Sequence, residues 1–540
     1  MFKKTVALLT CAVMAFGLSG CFRRDEVEDY DPTKTYLYIG NYDGGLGDEW
    51  LSSLADEYMK KHTDVIIKIN NHKDNYADAT LLERMDDYGN DMYFVNAVTY
   101  SNYVGRGKML DITDVVTENL DGESESIEDK MNPTLREYYK TDDNKYYAVP
   151  FFDSIFGTVY DVDLFEQEGL YFNENGNLMC DDGSSDVKSA GPNGISGDYD
   201  DGLPATFSQW KELMYVMQKG LSIVPYIWTG EYTYYRYRYL TSIWADYEGK
   251  DNFDLNMTFD GSYTFPGDVE ATPISVNNAY LLQKQPGKKY ALDYAEYIIR
   301  NGLYATTSFD STNTHMMAQR SYLLSAEADT RYAMIIEGGW WENEAKDFFD
   351  TMAADNGEQY AYGTRKFAFM PTPKADDGSS APGTTLISST GNSVAFITSN
   401  TAVPELAKDF LRFVHTDHAL RTFTRMTGAI RPYDYDLTEA ETSEMTHYAK
   451  NMWDIYHSDD TDISYITLYY NDCFIQEASF LGSNWWWKST VNNKEYLDAL
   501  YEFWQESSLN AENYFNGLQV TFSQSKWNDR MSKYLSLIHI

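Results

Sequence analysis

The sequence predicts an α/β protein of at least two lobes, and three observations carry that expectation. The chain has 540 residues, of which 43% are hydrophobic and 16% aromatic, enough to bury more than one core. Strand and helix signals alternate near its start. A strongly two-faced helix pattern then returns late, where Ala407, Phe410, Leu411 and Val414 share one apolar face.

Residues 36–39 read as a short strand, and Leu51, Leu54, Ala55 and Tyr58 follow at the i, i+3, i+4, i+7 spacing of a helix buried on one side. Residues 65–69 give a second strand, and residues 92–95 a third after an acidic, helix-like stretch. Strand, helix, strand, helix, strand predicts a parallel sheet covered by helices. Its strand-end loops, 41–47 and 96–102, are where an open α/β sheet holds a ligand. Residues 173–202, rich in Gly, Asp, Asn and Ser, read as a long surface loop. Helical spacing returns at 210–217, and Pro404 suits the first turn of the late helix. No internal repeat is evident.

Charge narrows the function. Forty-three basic against 83 acidic side chains leave −40, which opposes nucleic acid, anionic lipid surfaces and phosphorylated ligands. No Gly-rich phosphate loop or Lys/Arg cluster offsets that field, so a neutral ligand is expected. Four cysteines, Cys11, Cys21, Cys180 and Cys473, form neither a disulfide framework nor a zinc pattern. Pairing of Cys180 with Cys473 stays open.

The first 21 residues combine Lys3 and Lys4, an apolar run at 5–17 too short to span a bilayer comfortably, and Leu18, Ser19, Gly20, Cys21. That order resembles a bacterial lipoprotein signal with its lipobox. The resemblance implies cleavage after residue 20, lipid on Cys21, and a body held at the extracytoplasmic face of the cell membrane by a polar tether over 21–34. Residues 535–540 resemble a translated sequencing adapter and are expected to lie outside the fold.

Several spaced segments carry a second resemblance: DMYFVNAVTYSNYVGRGKMLDIT at 91–113, YYAVPFFDSIFGTVYDVDLFEQEGL at 146–170, residues 204–217, AMIIEGGWW at 333–341, and TAVPELAKDFLRFVHTDHALRTFTRMTGAIR at 401–431. In this order the chain resembles the extracellular solute-binding proteins of carbohydrate ABC transporters, the family that includes maltose-binding protein. The resemblance implies a two-lobed, type II periplasmic-binding-protein-like α/β fold with ligand in the cleft between lobes. One lobe would comprise 35–150 and 386–435, the other 151–385 and 436–534. It implies a monomer that hands an oligosaccharide to permease subunits, without catalysis. The loop at 173–202 and the region after Tyr435 exceed a minimal family member.

Sugar recognition needs aromatic faces against pyranose C–H groups, with amides and carboxylates for the hydroxyls. Trp340, after Gly338 and Gly339, matches the family's stacking tryptophan, which leaves Trp341 for the core unless the two exchange roles. Asn41, Asp43, Asn96 and Thr99 sit in the strand-end loops, and Phe152, Asp153 and Ser154 where the chain crosses between lobes. Asn392 is a similar candidate, and one of Trp485, Trp486 and Trp487, taken as Trp485, faces the cleft. Arg431 is read as a structural ion-pair partner. No cofactor is expected, although the acidic stretches 181–186 and 193–201 hold oxygen ligands suited to Ca²⁺ without EF-hand spacing. The competing functions are a peptide- or polyamine-binding protein and an exported glycoside hydrolase. No nucleophile elbow, HExxH or Ser/His/Asp spacing supports the latter.

Overall fold

A computed structural model describes residues 30–540, apart from 73–75, 77, 97, 180–186, 389–392, 467–480, 483 and 539–540. Cys21, Cys180, Cys473, Asn392 and the acidic stretch 181–186 lie outside the described residues.

The first sheet begins with β1 (Thr35–Tyr42), β2 (Val65–His72), β3 (Met92–Val95) and β4 (Val149–Pro150). The second takes β5 (Phe156–Asp161) and β6 (Val224–Ile227). A hairpin, β7 (Gly261–Tyr263) and β8 (Thr272–Ile274), precedes β9 (Tyr332–Gly338) and β10 (Phe367–Met370) of the second sheet. Next come β11 (Thr384–Ser388), β12 (Val394–Ile397) and β13 (Thr461–Tyr465). The first sheet has the order β2-β1-β3-β12-β4, so a strand from late in the chain is inserted beside early ones. β1 is parallel to β2 and β3, as the alternation predicted, whereas β12 is antiparallel to β3 and β4. In the second sheet, β10-β5-β9-β6, β5 runs antiparallel to β9 and β10 while β6 is parallel to β9.

The strands β3, β5, β10 and β12 are buried at every position, as strands covered on both faces are, whereas β2 at the edge of the first sheet carries the exposed Lys68. The helix Glu49–Lys61 buries Trp50, Leu51, Leu54, Ala55 and Tyr58, the face read from the spacing. Burial of side chains this size stabilises by roughly 1.5–3 kcal/mol each. Trp50 meets Phe94 at 5.4 Å and Phe423 at 4.9 Å, tying β3 to the helix Asp417–Thr427 across that helix. In the second lobe, Met334 and Ile336 of β9 enter one core and Ile335 the other, the period-two alternation of a strand between two layers.

The region after Tyr435 belongs with the second sheet. The helix His447–Tyr456 packs on β10, β13 pairs in parallel with β11, and the helices Ala499–Gln505 and Ala511–Thr521 pack on Pro286–Arg300. The last helix runs Gln524–Ile538, so residues 535–538 continue it. The irregular stretch 187–202 is fastened to the β11–β13 pair, Tyr199 Oη lying 3.1 Å from Thr384 Oγ1. Among the described residues no helix is long and apolar enough to cross a membrane.

The lobes are joined where the chain crosses between sheets. Asp153 stands at the first crossing, between β4 and β5, and its amide donates to the Ile430 carbonyl at 2.7 Å. Its Oδ1 accepts from the Ser388 hydroxyl at the end of β11 and from the Ser154 amide at 2.8 Å; its Oδ2 accepts from Tyr456 Oη at 2.9 Å. One buried carboxylate therefore ties together segments from every crossing.

Candidate functional site

The site is built outward from the end of β9. This strand reads Ala333, Met334, Ile335, Ile336 and then Glu337, a carboxylate that stays inside an apolar sheet only because donors meet it. Gln319 Nε2 donates to Glu337 Oε1 at 3.1 Å and the Gly338 amide to Oε2 at 3.2 Å. Burial, reinforced by the nearby Glu344 charge, pushes the Glu337 carboxyl well above the usual carboxylate range. The same Gln319 nitrogen reaches Glu344 Oε2 at 2.9 Å, and Glu344 Oε1 lies 3.2 Å from His315 Nε2. Gln319 and His315 share one helix, His315–Leu324, four residues apart and hence on one face. Gln319 Oε1 and Asn343 Oδ1 are buried with no hydrogen-bond partner among the described residues.

Beside this polar network runs a line of rings. His315 lies 5.3 Å from Tyr232, Tyr232 5.8 Å from Tyr234, and Tyr234 4.8 Å from Tyr235. Tyr235 is 5.4 Å from Phe156, and Phe156 is 6.3 Å from Trp340. Trp340 folds back over the strand end, which Gly338 permits: a Cβ there would fall 2.3 Å from Trp340 Cζ3. Trp341 turns the other way and is fully buried among Tyr322, Phe349, Phe367 and Tyr448.

The first lobe faces this wall with the loop after β1. Asn343 Nδ2 donates to the Gly45 carbonyl at 2.6 Å, and a Cβ on Gly45 would lie 3.0 Å from Glu344 Cβ. The loop after β1 thus meets the segment that follows β9, and the network lies at that meeting.

Of the residues the sequence nominated, Trp340 lies on this wall and is 9% exposed. Asn41 is fully buried, and its Nδ2 donates to Gly47 O at 3.1 Å and Asn71 Oδ1 at 2.9 Å, shaping the loop from within. Asp43 accepts from Asn71 Nδ2 at 3.2 Å in the same network. Asn96 accepts from Ser393 Oγ at 2.8 Å, and Thr99 precedes the helix Tyr100–Gly105, both half-buried at the adjoining strand end. Phe152 and Ser154 are buried beside Asp153 at the crossing. Trp485, Trp486 and Trp487 form one short helical turn, all buried; Trp485 packs on Phe259, Phe522 and Trp527, because the C-terminal helices close over it. Arg431 corrects its expectation as an ion-pair partner. Among the described residues it meets no carboxylate but lies over Phe151, Phe423 and Tyr433, with Nη2 2.7 Å from His415 Nε2. No group of three or more His, Cys, Asp or Glu suited to a metal occurs among the described residues.

No protein-family model and no curated protein sequence matches the chain. Solved structures do. The apo form of RafE from Streptococcus pneumoniae superposes with a TM-score of 0.54 at 11% identity, over 92% of this chain and all of RafE. The GacH receptor of Streptomyces glaucescens gives 0.55 at 11%, over 92% and 99%. A xylan-utilisation protein of Caldanaerobius polysaccharolyticus gives 0.56 at 12%, over 90% and 100%. The fold is that of the two-lobed, type II solute-binding proteins.

The wall at the end of β9 and the loop after β1 come from different sheets and meet at Asn343, Glu344 and Gly45. The sequence nominated Trp340, which lies beside Phe156 on this wall, and passed over Glu337, Gln319, Glu344, His315, Asn343 and the tyrosines at 232–235. One signal was available: Glu337 interrupts an apolar strand, and a carboxylate there needs partners. His315 and Gln319 offered none, since helical neighbours acquire a site only when the helix docks.

Proposed function

We propose that the chain is an extracytoplasmic solute-binding protein that captures a neutral oligosaccharide between its lobes and delivers it to an ABC transporter permease. One observation carries the reading: a line of aromatic rings from Tyr232 to Trp340 runs beside a buried amide and carboxyl network, at the contact between lobes. Ring faces suit the C–H faces of pyranoses, and buried acceptors suit their hydroxyls once water is excluded. Burial, with the nearby Glu344, pushes the Glu337 carboxyl well above the usual carboxylate range, so charge is disfavoured at this wall and a neutral ligand suits it. Gln319 engages both the Glu337 and Glu344 carboxyls.

The fold neighbours support the ligand class. RafE has been solved in complex with raffinose (TM-score 0.52, 12% identity), and GacH in complex with acarbose. Lobe closure around the sugar would be a hinge motion about the Asp153 crossing. The lipobox-like sequence ending at Cys21 supports attachment by lipid, which would keep the loaded protein beside its permease.

A thermal-shift panel tests the reading, because any ligand preferring the folded state raises Tm. Neutral tri- to hexasaccharides should stabilise the protein while polyamines and peptides do not; the reverse pattern would sink the sugar. Chromatography of the same mixtures should show no products, and turnover would establish a hydrolase. Cys21→Ala should release the protein from the membrane fraction of expressing cells.

A further inference from the structure

A second aromatic feature lies outside the cleft. The helix Ala499–Gln505 carries Tyr501 and Trp504, 37% and 43% exposed, among the few large rings the protein leaves in water. Their backing is rigid. Trp504 stacks on Phe309 with centroids 4.8 Å apart and planes 13° from parallel, and Tyr501 stands 5.6 Å from Trp504 and 6.0 Å from Phe309. Phe309 in turn rests edge-on against Trp228 at 5.5 Å and Tyr304 at 5.3 Å, with the Arg236 guanidinium over it at 5.7 Å. Arg236 is fixed by a buried 2.7 Å ion pair to Asp498, whose other oxygen accepts from the Tyr501 amide at 3.3 Å at the head of the same helix. One face of Trp504 is therefore covered and held, while 43% of the residue stays exposed.

The surroundings select the occupant. Asp310 and Gln505 are exposed and adjacent in sequence to Phe309 and Trp504, and Thr307 is exposed two residues before Phe309. All three can hydrogen-bond, while Arg236 and Arg300 are occupied by Asp498 and by the backbone carbonyls of Phe503 and Leu509. With −40 on the chain, an anionic polymer or lipid surface is disfavoured. The two part-exposed rings offer on the order of 200 Å² between them, well short of the ~800 Å² per partner of a stable protein interface. That area matches one or two pyranose rings. We propose that Tyr501 and Trp504 form a surface ledge that stacks sugar units of a neutral polysaccharide, separately from the cleft. The inference rests on the ring geometry and not on the cleft's ligand. Preorganised rings lose little conformational freedom on binding, so even a small ledge gains useful affinity for a repeating polymer.

Native affinity electrophoresis of the full chain in gels containing soluble starch, arabinoxylan, galactomannan or mixed-linkage β-glucan tests it. Wild type and Trp340→Ala should both be retarded by at least one polymer. Trp504→Ala should weaken that retardation about five- to tenfold, the loss of one stacked ring, and Trp504→Phe should keep most of it. Circular dichroism melts should show both Trp504 variants folded, as the ring is exposed. The ledge is overturned if no polymer retards wild type, if Trp504→Ala migrates as wild type, if Trp504→Phe loses as much as Ala, or if Trp340→Ala alone abolishes retardation, which would put the polymer in the cleft. Oligosaccharide thermal shifts of the same variants report the cleft independently, so failure of one site is distinguishable from failure of the other.

Discussion

Tyr456 Oη donates a 2.9 Å hydrogen bond to Asp153 Oδ2, joining a second-lobe helix to the segment that leaves the first sheet. Tyr456 Oη also lies 3.2 Å from Tyr465 Oη at the end of β13. Burial raises the Asp153 carboxyl above its ordinary range even though Ser388 and the tyrosines donate to it. This buried acceptor joins the crossing segment to Ser388 and Tyr456, which lie far from it along the chain.

Asp153→Asn should therefore destabilise by roughly 2–3 kcal/mol, because an amide nitrogen would face donors inside a dry site. Tyr456→Phe, which removes one hydrogen bond and leaves the rest, should lose about 1 kcal/mol. In urea unfolding of the double-mutant cycle, the two should couple by more than ~0.5 kcal/mol; strict additivity would show that they do not share one network.

Trp340 and Trp341 are adjacent in sequence and opposite in role. Trp341→Ala should destabilise by about 3–5 kcal/mol, as expected for a fully enclosed ring. Trp340→Ala should lower Tm less and weaken oligosaccharide binding at least tenfold by isothermal titration. Unchanged affinity would remove Trp340 from the cleft wall.

Lobe contact depends on Gly45, which sits at φ +88° with Glu344 3.0 Å from where a Cβ would be. Gly45→Ala strains the loop and pushes the lobes apart, so ligand affinity should fall by roughly 1–2 kcal/mol. Asn343→Ala, which deletes the bond to the Gly45 carbonyl, should expand the ligand-free protein in small-angle scattering. A scattering profile and an affinity both equal to wild type would show that this contact does not govern closure.

Stability should fall as pH rises toward 8. Burial lifts the Glu248 and Glu342 carboxyls to about 7 and Asp200 to about 8. A raised acid binds its proton more tightly in the folded state, so its contribution is fully present below the unfolded value near 4 and is lost as pH climbs through the folded value. Each group supplies a slope of about 1.4 kcal/mol per pH unit inside its window. Tm should be higher at pH 5 than at pH 8, and Glu342→Gln should flatten the profile without lowering Tm at pH 8. A flat wild-type profile over that range would contradict these burials.

The sequence by itself determined the elements. The face of Leu51, Leu54, Ala55 and Tyr58, the early parallel strands and the late helix Pro404–Phe413 were legible because burial on one side imposes a period. It did not separate Trp340 from Trp341: the choice between them came from the family resemblance, and the turn after β9 decided it by burying Trp341 completely. Only the tertiary structure decided which polar groups meet. Asp153 gathers Ser388, Tyr456 and Ile430 from distant parts of the chain, and Gln319 reaches Glu337 and Glu344 only after a helix docks on β9. Such partners have no spacing to read, because hydrogen bonds between separate elements follow packing rather than periodicity. For the same reason the three adjacent tryptophans at 485–487 gave no sign of their direction: the closing C-terminal helices, not the local pattern, turned all of them inward.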